Sequence, residues 1–70
     1  MAINKQLLKS YIMRNDKTQE ALARAMGVSL SALNAKINEA YGREFKQSEI
    51  GFIKNRYELT VEEVASVFFT

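Results

Sequence analysis

Residues 19–38, QEALARAMGVSLSALNAKIN, decide how the rest of this chain is read. Gly27 ends one helix, at a point where the backbone needs the left-handed conformation that costs other residues a Cβ clash. After a turn, Ser29 caps a second helix by accepting a bond from one of the orphan amides of its first turn. Ala23 lies one turn before the corner on the face shared with Gln19 and Met26, so two helices crossing steeply can approach closely there. Leu22, Met26, Val28, Leu33 and Ile37 supply the inner surface.

Composition narrows what this corner serves. Seventy residues make one domain, residues 1–70, near the lower size at which a core suffices without covalent staples. With no Cys and no His, the disulfide framework, the thiolate nucleophile, the usual zinc sites and the commonest general base are all absent. Asp16 and the seven glutamates are the remaining acid–base candidates, and most fall on helix faces expected to be solvated. The expectation is therefore a protein that is not an enzyme and uses no cofactor or metal. No apolar run reaches the ~20 residues that span a bilayer, and residues 1–20 lack a signal-peptide pattern, so a cytoplasmic chain without a membrane partner is expected.

The net charge of +2 is unevenly spread. Residues 1–38 hold six bases (Lys5, Lys9, Arg14, Lys17, Arg24, Lys36) against two acids (Asp16, Glu20), a balance of +4. Residues 39–70 hold four bases against six acids, a balance of −2. The basic half thus contains the corner, as a phosphate-facing surface would require. The alternative is a mixed charged surface.

Outside the corner the pattern is helical throughout. Asn4 caps a first helix with Leu7, Leu8, Tyr11 and Ile12 as its stripe, ended by Asn15 and Asp16. Thr18 caps the second helix. Residues 39–45 read as a loop, with Phe45 turned inward and Tyr41 a second candidate to do so. A fourth helix starts at Gln47 or Ser48 and runs to about Tyr57 with Ile50, Ile53 and Tyr57 inward, and Gly51 weakens it by up to ~1 kcal/mol relative to Ala. Thr60 and Glu63 form a capping box that opens a fifth helix running to the C-terminus. On that helix Val61, Val64, Ala65 and Phe68 make the inward stripe, leaving Val67 and Phe69 on either side of it. The fold class is all-α, a compact five-helix domain.

Two short helices meeting at such a corner are the sequence form of a helix-turn-helix. The stretch resembles the DNA-binding domain shared by phage lambda-type repressors and Cro proteins, and by many small bacterial regulators and antitoxins. Thr18, Gln19, Glu20, Leu22 and Ala23 carry the resemblance, followed by Met26, Gly27, Val28, Ser29 and Leu33. It covers about twenty residues closely and the other helices more loosely. The likeness implies that the first helix of the pair abuts the DNA backbone while the second enters the major groove. It also implies that Gln19 bonds a phosphate and braces the second helix, and that copies pair through the last helix over half-sites about 34 Å apart. One departure falls at Lys36, where the family usually has an apolar residue; here the apolar residue is Ile37, which implies a rotated or extended second helix.

Helix geometry then separates the faces. At about 100° per residue, Leu30, Leu33 and Ile37 fall within an arc of about 60° and should face the core. The opposite side carries Ser31, Ala32, Ala35 and Asn38, flanked by Asn34 and Lys36. Small side chains let a helix sit deep in a groove, where Asn pairs with the N6/N7 edge of adenine and an Ala methyl meets that of thymine. The base-reading candidates are Leu30, Ser31, Ala32, Asn34, Ala35 and Asn38, and the competing reading is a solvated face. Ser and Asn are poor helix formers, which a merely solvated face has no reason to prefer over Glu or Lys. Phosphate candidates are Lys17, Thr18, Gln19, Lys36, Arg43 and Lys46, and Val67 and Phe69 are the candidate dimer contact. The function expected is sequence-specific binding of double-stranded operator DNA by a phage or mobile-element regulator, with a weak homodimer forming on the DNA and no small-molecule ligand. The alternative is an antitoxin-like or other protein-interaction module on the same fold, and a third reading, a structural piece of a larger protein, is disfavoured by Met1.

Overall fold

Each helix begins where the sequence supplies an acceptor for a backbone amide that the helix itself leaves unpaired. In the computed structural model, which describes residues 3–69, Asn4 accepts from the Leu7 amide at 3.1 Å and opens α1, Lys5–Asn15. Thr18 does the same for α2, Gln19–Met26, and Ser29 for α3, Leu30–Ile37, each at 3.1 Å. Before α4, Gln47–Arg56, the Glu49 carboxylate reaches back to the Lys46 amide at 2.7 Å. Thr60 and Glu63 exchange bonds of 2.7 and 3.1 Å to open α5, Val61–Phe68. A tight turn, Ala40–Gly42, sits between α3 and α4. The chain is all-helical, with no strand among the described residues. No described helix is long and apolar enough to cross a membrane.

The five helices share one core. Leu8 and Ile12 of α1, Leu22 and Ala23 of α2, Leu33 and Ile37 of α3, and Ile50 and Ile53 of α4 are all buried in it. Phe45, Tyr57 and Leu59 enter it from the connections, and Phe45 meets Phe68 edge to face at 5.4 Å. α1 is tied to α5 by the Asn4 amide, which donates to the Val67 carbonyl at 2.8 Å, and by the Tyr11 hydroxyl, which donates to Glu63 at 3.3 Å.

The corner between α2 and α3 closes as the sequence requires. Gly27 has φ +75°, its amide bonds the Arg24 carbonyl at 3.2 Å, and the Val28 amide bonds the Ala23 carbonyl at 3.0 Å. Ala23 is buried at that point.

The inward assignments of Leu30, Val61, Ala65 and Tyr41 change. Leu30 is 42% exposed, because a side chain at the first helical position slants back past the helix end instead of down onto the core. On α5, Val61 and Ala65 are exposed, and the stripe is Val64, Val67 and Phe68. Both sets have helical spacing, but the second puts the larger Val67 inside and the smaller Ala65 outside. Val67 is fully buried, so it is not a dimer contact. Tyr41 does not turn inward; it is 97% exposed.

Lys36 is the largest departure. It is only 9% exposed, and its ammonium pairs with Glu49 of α4. The phosphate role assigned to Lys36 is therefore corrected, since its charge is already matched inside the protein. Burial pushes the Glu49 carboxyl up, but the Lys36 ammonium and the Lys46 amide outweigh it and hold the group below its ordinary value of 4.5. Asp16 is likewise held below 3.8, first by the Arg56 guanidinium, whose two bonds measure 2.7 and 3.1 Å, and also by the Tyr57 hydroxyl.

Removing one partner of a buried pair strands the other, so Lys36→Ala should lower unfolding stability by about 3 kcal/mol or more. Joint Lys36→Met and Glu49→Met replacement should recover most of that, short of about 1 kcal/mol for the lost α4 cap. Urea denaturation of the three proteins checks this. Both carboxyls are depressed in the folded state, so their stabilisation is complete above about pH 5 and disappears as pH falls below about 4 through their folded values. Asp16→Asn should flatten that acid limb in pH-dependent urea titrations.

Candidate nucleic-acid interface

Once Leu33, Lys36 and Ile37 are buried, the rest of α3 has only one direction left. Leu30, Ser31, Asn34 and Asn38 are exposed, and Ala32 and Ala35 are half-buried. All six base-reading candidates thus lie outside the core. The face mixes hydroxyl, amide and methyl groups and carries no charged side chain, because the one cation of α3 is turned inward. Such groups can donate, accept and make apolar contact without imposing a field of their own.

Beside this face runs an open depression of ≈300 Å³, lined by Ser29, Ser31, Ala32, Ala35, Tyr41 and Arg43. The turn after α3 forms its far wall. That wall arises from backbone conformation: Glu39, Tyr41 and Gly42 have φ of +53°, +56° and +71°, and this reversal brings Tyr41 and Arg43 alongside the start of α3. Arg43 is the one charged residue on the lining, so the depression favours an anion.

The other phosphate candidates fall into two groups. Lys17 and Thr18 are exposed at the start of α2, and Gln19 is half-buried beside them as its first residue. Thr18 spends an oxygen lone pair on the Ala21 amide, which leaves its hydroxyl proton to donate outward. Lys46 is exposed before α4, and its amide is taken by Glu49. Of the candidates, the depression gathers Ser31, Ala32, Ala35 and Arg43; the remaining ones are not part of its lining. Phe69 keeps the exposure expected of it, at 47%.

Ser29 and Tyr41 are the lining residues that sequence reasoning did not place there. Ser29 is legible only as a cap, because its second role depends on a turn ten residues further on. For Tyr41, the adjacent Gly42 was the signal available: a glycine after an aromatic in a polar loop marks a left-handed turn that lifts its neighbour outward.

The basic balance of residues 1–38 also changes meaning. Lys36 is matched by Glu49, whereas Asp16 is matched by Arg56 from the other half, so the two exchanges offset. Lys5, Lys9, Arg14, Lys17 and Arg24 remain exposed. The Arg24 pair with Glu20, 3.6 Å long and well solvated, does little to hold its charge. Comparison of the chain with family models, with curated proteins and with solved structures finds no match.

Proposed function

We propose that the protein is a sequence-specific double-stranded DNA-binding regulator of the phage repressor or Cro type, acting by occupying an operator. The observation that carries this is the outward face of α3, where Ser31, Asn34, Asn38 and two alanines stand clear of the core beside a depression holding Arg43. In this reading α2 and α3 are a helix-turn-helix, α3 lies in the major groove, and its amides and hydroxyls read base edges. Lys17, Thr18, Gln19, Arg43 and Lys46 hold phosphates and fix the register. The exposed Phe69 joins two copies weakly on DNA, without Val67.

A protein-interaction module of the antitoxin type is the second reading. The exposed apolar side chains Met13, Val61 and Phe69 favour it. Selection of bound duplexes from a random pool separates the two, since a protein-binding module enriches no sequence.

Binding to the selected duplex should weaken steeply with salt. With about three phosphates neutralised by each of two copies, log K against log salt should have a slope near −5, at about −0.9 per phosphate. Fluorescence anisotropy across a salt series measures it, and a flat response would reject the DNA reading.

Base contacts carry discrimination and phosphate contacts do not. Asn34→Ala and Ser31→Ala should each cost ~1–3 kcal/mol on the selected duplex and much less on random DNA. Gln19→Ala should weaken both alike. Equal losses on the two DNAs for the Asn34 and Ser31 variants would show that this face does not read bases.

A further inference from the structure

Tyr41 combines three features that general stability does not explain. Its backbone is left-handed at φ +56°, a conformation that is unfavourable for a residue with a Cβ. Its side chain is 97% exposed and so gains nothing from burial. It also forms one wall of the depression whose other walls are the start of α3 and Arg43. A glycine or asparagine would occupy this backbone position at lower cost. Strain held at a position that earns no packing points to a contact made only in a complex.

We propose that the depression seats one sugar–phosphate strand of duplex DNA, with the Tyr41 ring packed on a deoxyribose and the Arg43 guanidinium on the adjoining phosphate. This rests on the reading of α3 as the helix that enters the major groove. The occupant follows from the walls. The only charge is positive, the hydroxyl of Ser29 suits a phosphate oxygen, and the ring offers an apolar face at the rim, where a sugar rather than a base edge comes to lie. The left-handed turn sets the backbone that carries the ring beforehand, so less of the loop is ordered on binding.

The proposal gives stability and affinity opposite signs. Tyr41→Gly relieves the backbone and should leave the thermal midpoint of the free protein unchanged or higher. The same substitution should weaken binding by about fivefold, equivalent to about 1 kcal/mol of lost ring contact. The loss should be equal on the selected duplex and on random duplex of the same length, because a sugar carries no sequence. Tyr41→Asn, which also tolerates the left-handed backbone, should behave like the glycine variant, whereas Tyr41→Phe should bind as the parent does. Arg43→Ala should lower the salt slope by about one phosphate.

Several outcomes overturn the proposal. If the parent protein binds the selected duplex and Tyr41→Gly binds it equally well, the ring is not a contact, although the DNA reading stands. A loss confined to the selected sequence means that Tyr41 reads a base and the strand assignment is wrong. Lower thermal midpoints in both the glycine and asparagine variants mean that the ring holds the turn. A parent protein that binds no duplex removes this proposal together with the reading on which it rests.

Discussion

One carboxylate, that of Glu49, sets how the second half of the molecule meets the first. One of its oxygens takes the Lys46 amide and closes the start of α4, while the other takes the Lys36 ammonium from the last turn of α3. The charges suit both helix ends, since an acid is favoured in a first turn and a base in a last one. The pair is buried enough that neither partner can leave without stranding the other. Rotation of α3 is therefore fixed by an ionic contact as well as by Leu33 and Ile37. Which residues of α3 face solvent follows from that.

A second network joins two other corners. Lys17 and Glu58, just past the ends of α1 and α4, both have left-handed backbones without being glycine, at φ +72° and +53°. Their helices close through the Lys17 amide on the Ile12 carbonyl and the Leu59 amide on the Lys54 carbonyl. Asp16, bonded to Arg56 and Tyr57, joins the residues immediately before these two turns. Burial and the Asp16 carboxylate together push the Tyr57 hydroxyl well above the ordinary tyrosine range, so it stays a donor. Two costly corners are thus braced against each other, whereas the corner between α2 and α3 uses Gly27 and needs no such brace.

These constraints leave the proposed DNA-facing surface almost free of internal obligations. Ser29 serves as a cap, yet Ser31, Asn34, Asn38 and Arg43 take no part in the core. The turn carrying Tyr41 is the exception, because it holds a strained residue in the open. Rigid corners and an unencumbered helix face are what a preorganised binding surface requires.

Much of the fold was legible in the chain itself. Asn4, Thr18, Ser29 and Thr60 cap where they should, Gly27 takes the left-handed backbone, and the helical spacing of Leu8, Leu22, Leu33, Ile53 and Phe68 marks the core. Those features depend on a few neighbouring residues, and local physics decides them. Lys36 and Val67 were misplaced because each depends on something distant, whereas Leu30 and Tyr41 follow from local geometry, a first helical position and a left-handed turn, that helical spacing alone does not register. A lysine goes inside only when an acid thirteen residues away meets it, and the two stripes on α5 share Val64 and Phe68, so helical period alone does not choose between them. Sequence by itself determined where helices start, stop and turn apolar; tertiary structure decided which charge is buried and which valine faces inward, because pairing and burial are properties of residues brought together from separate elements.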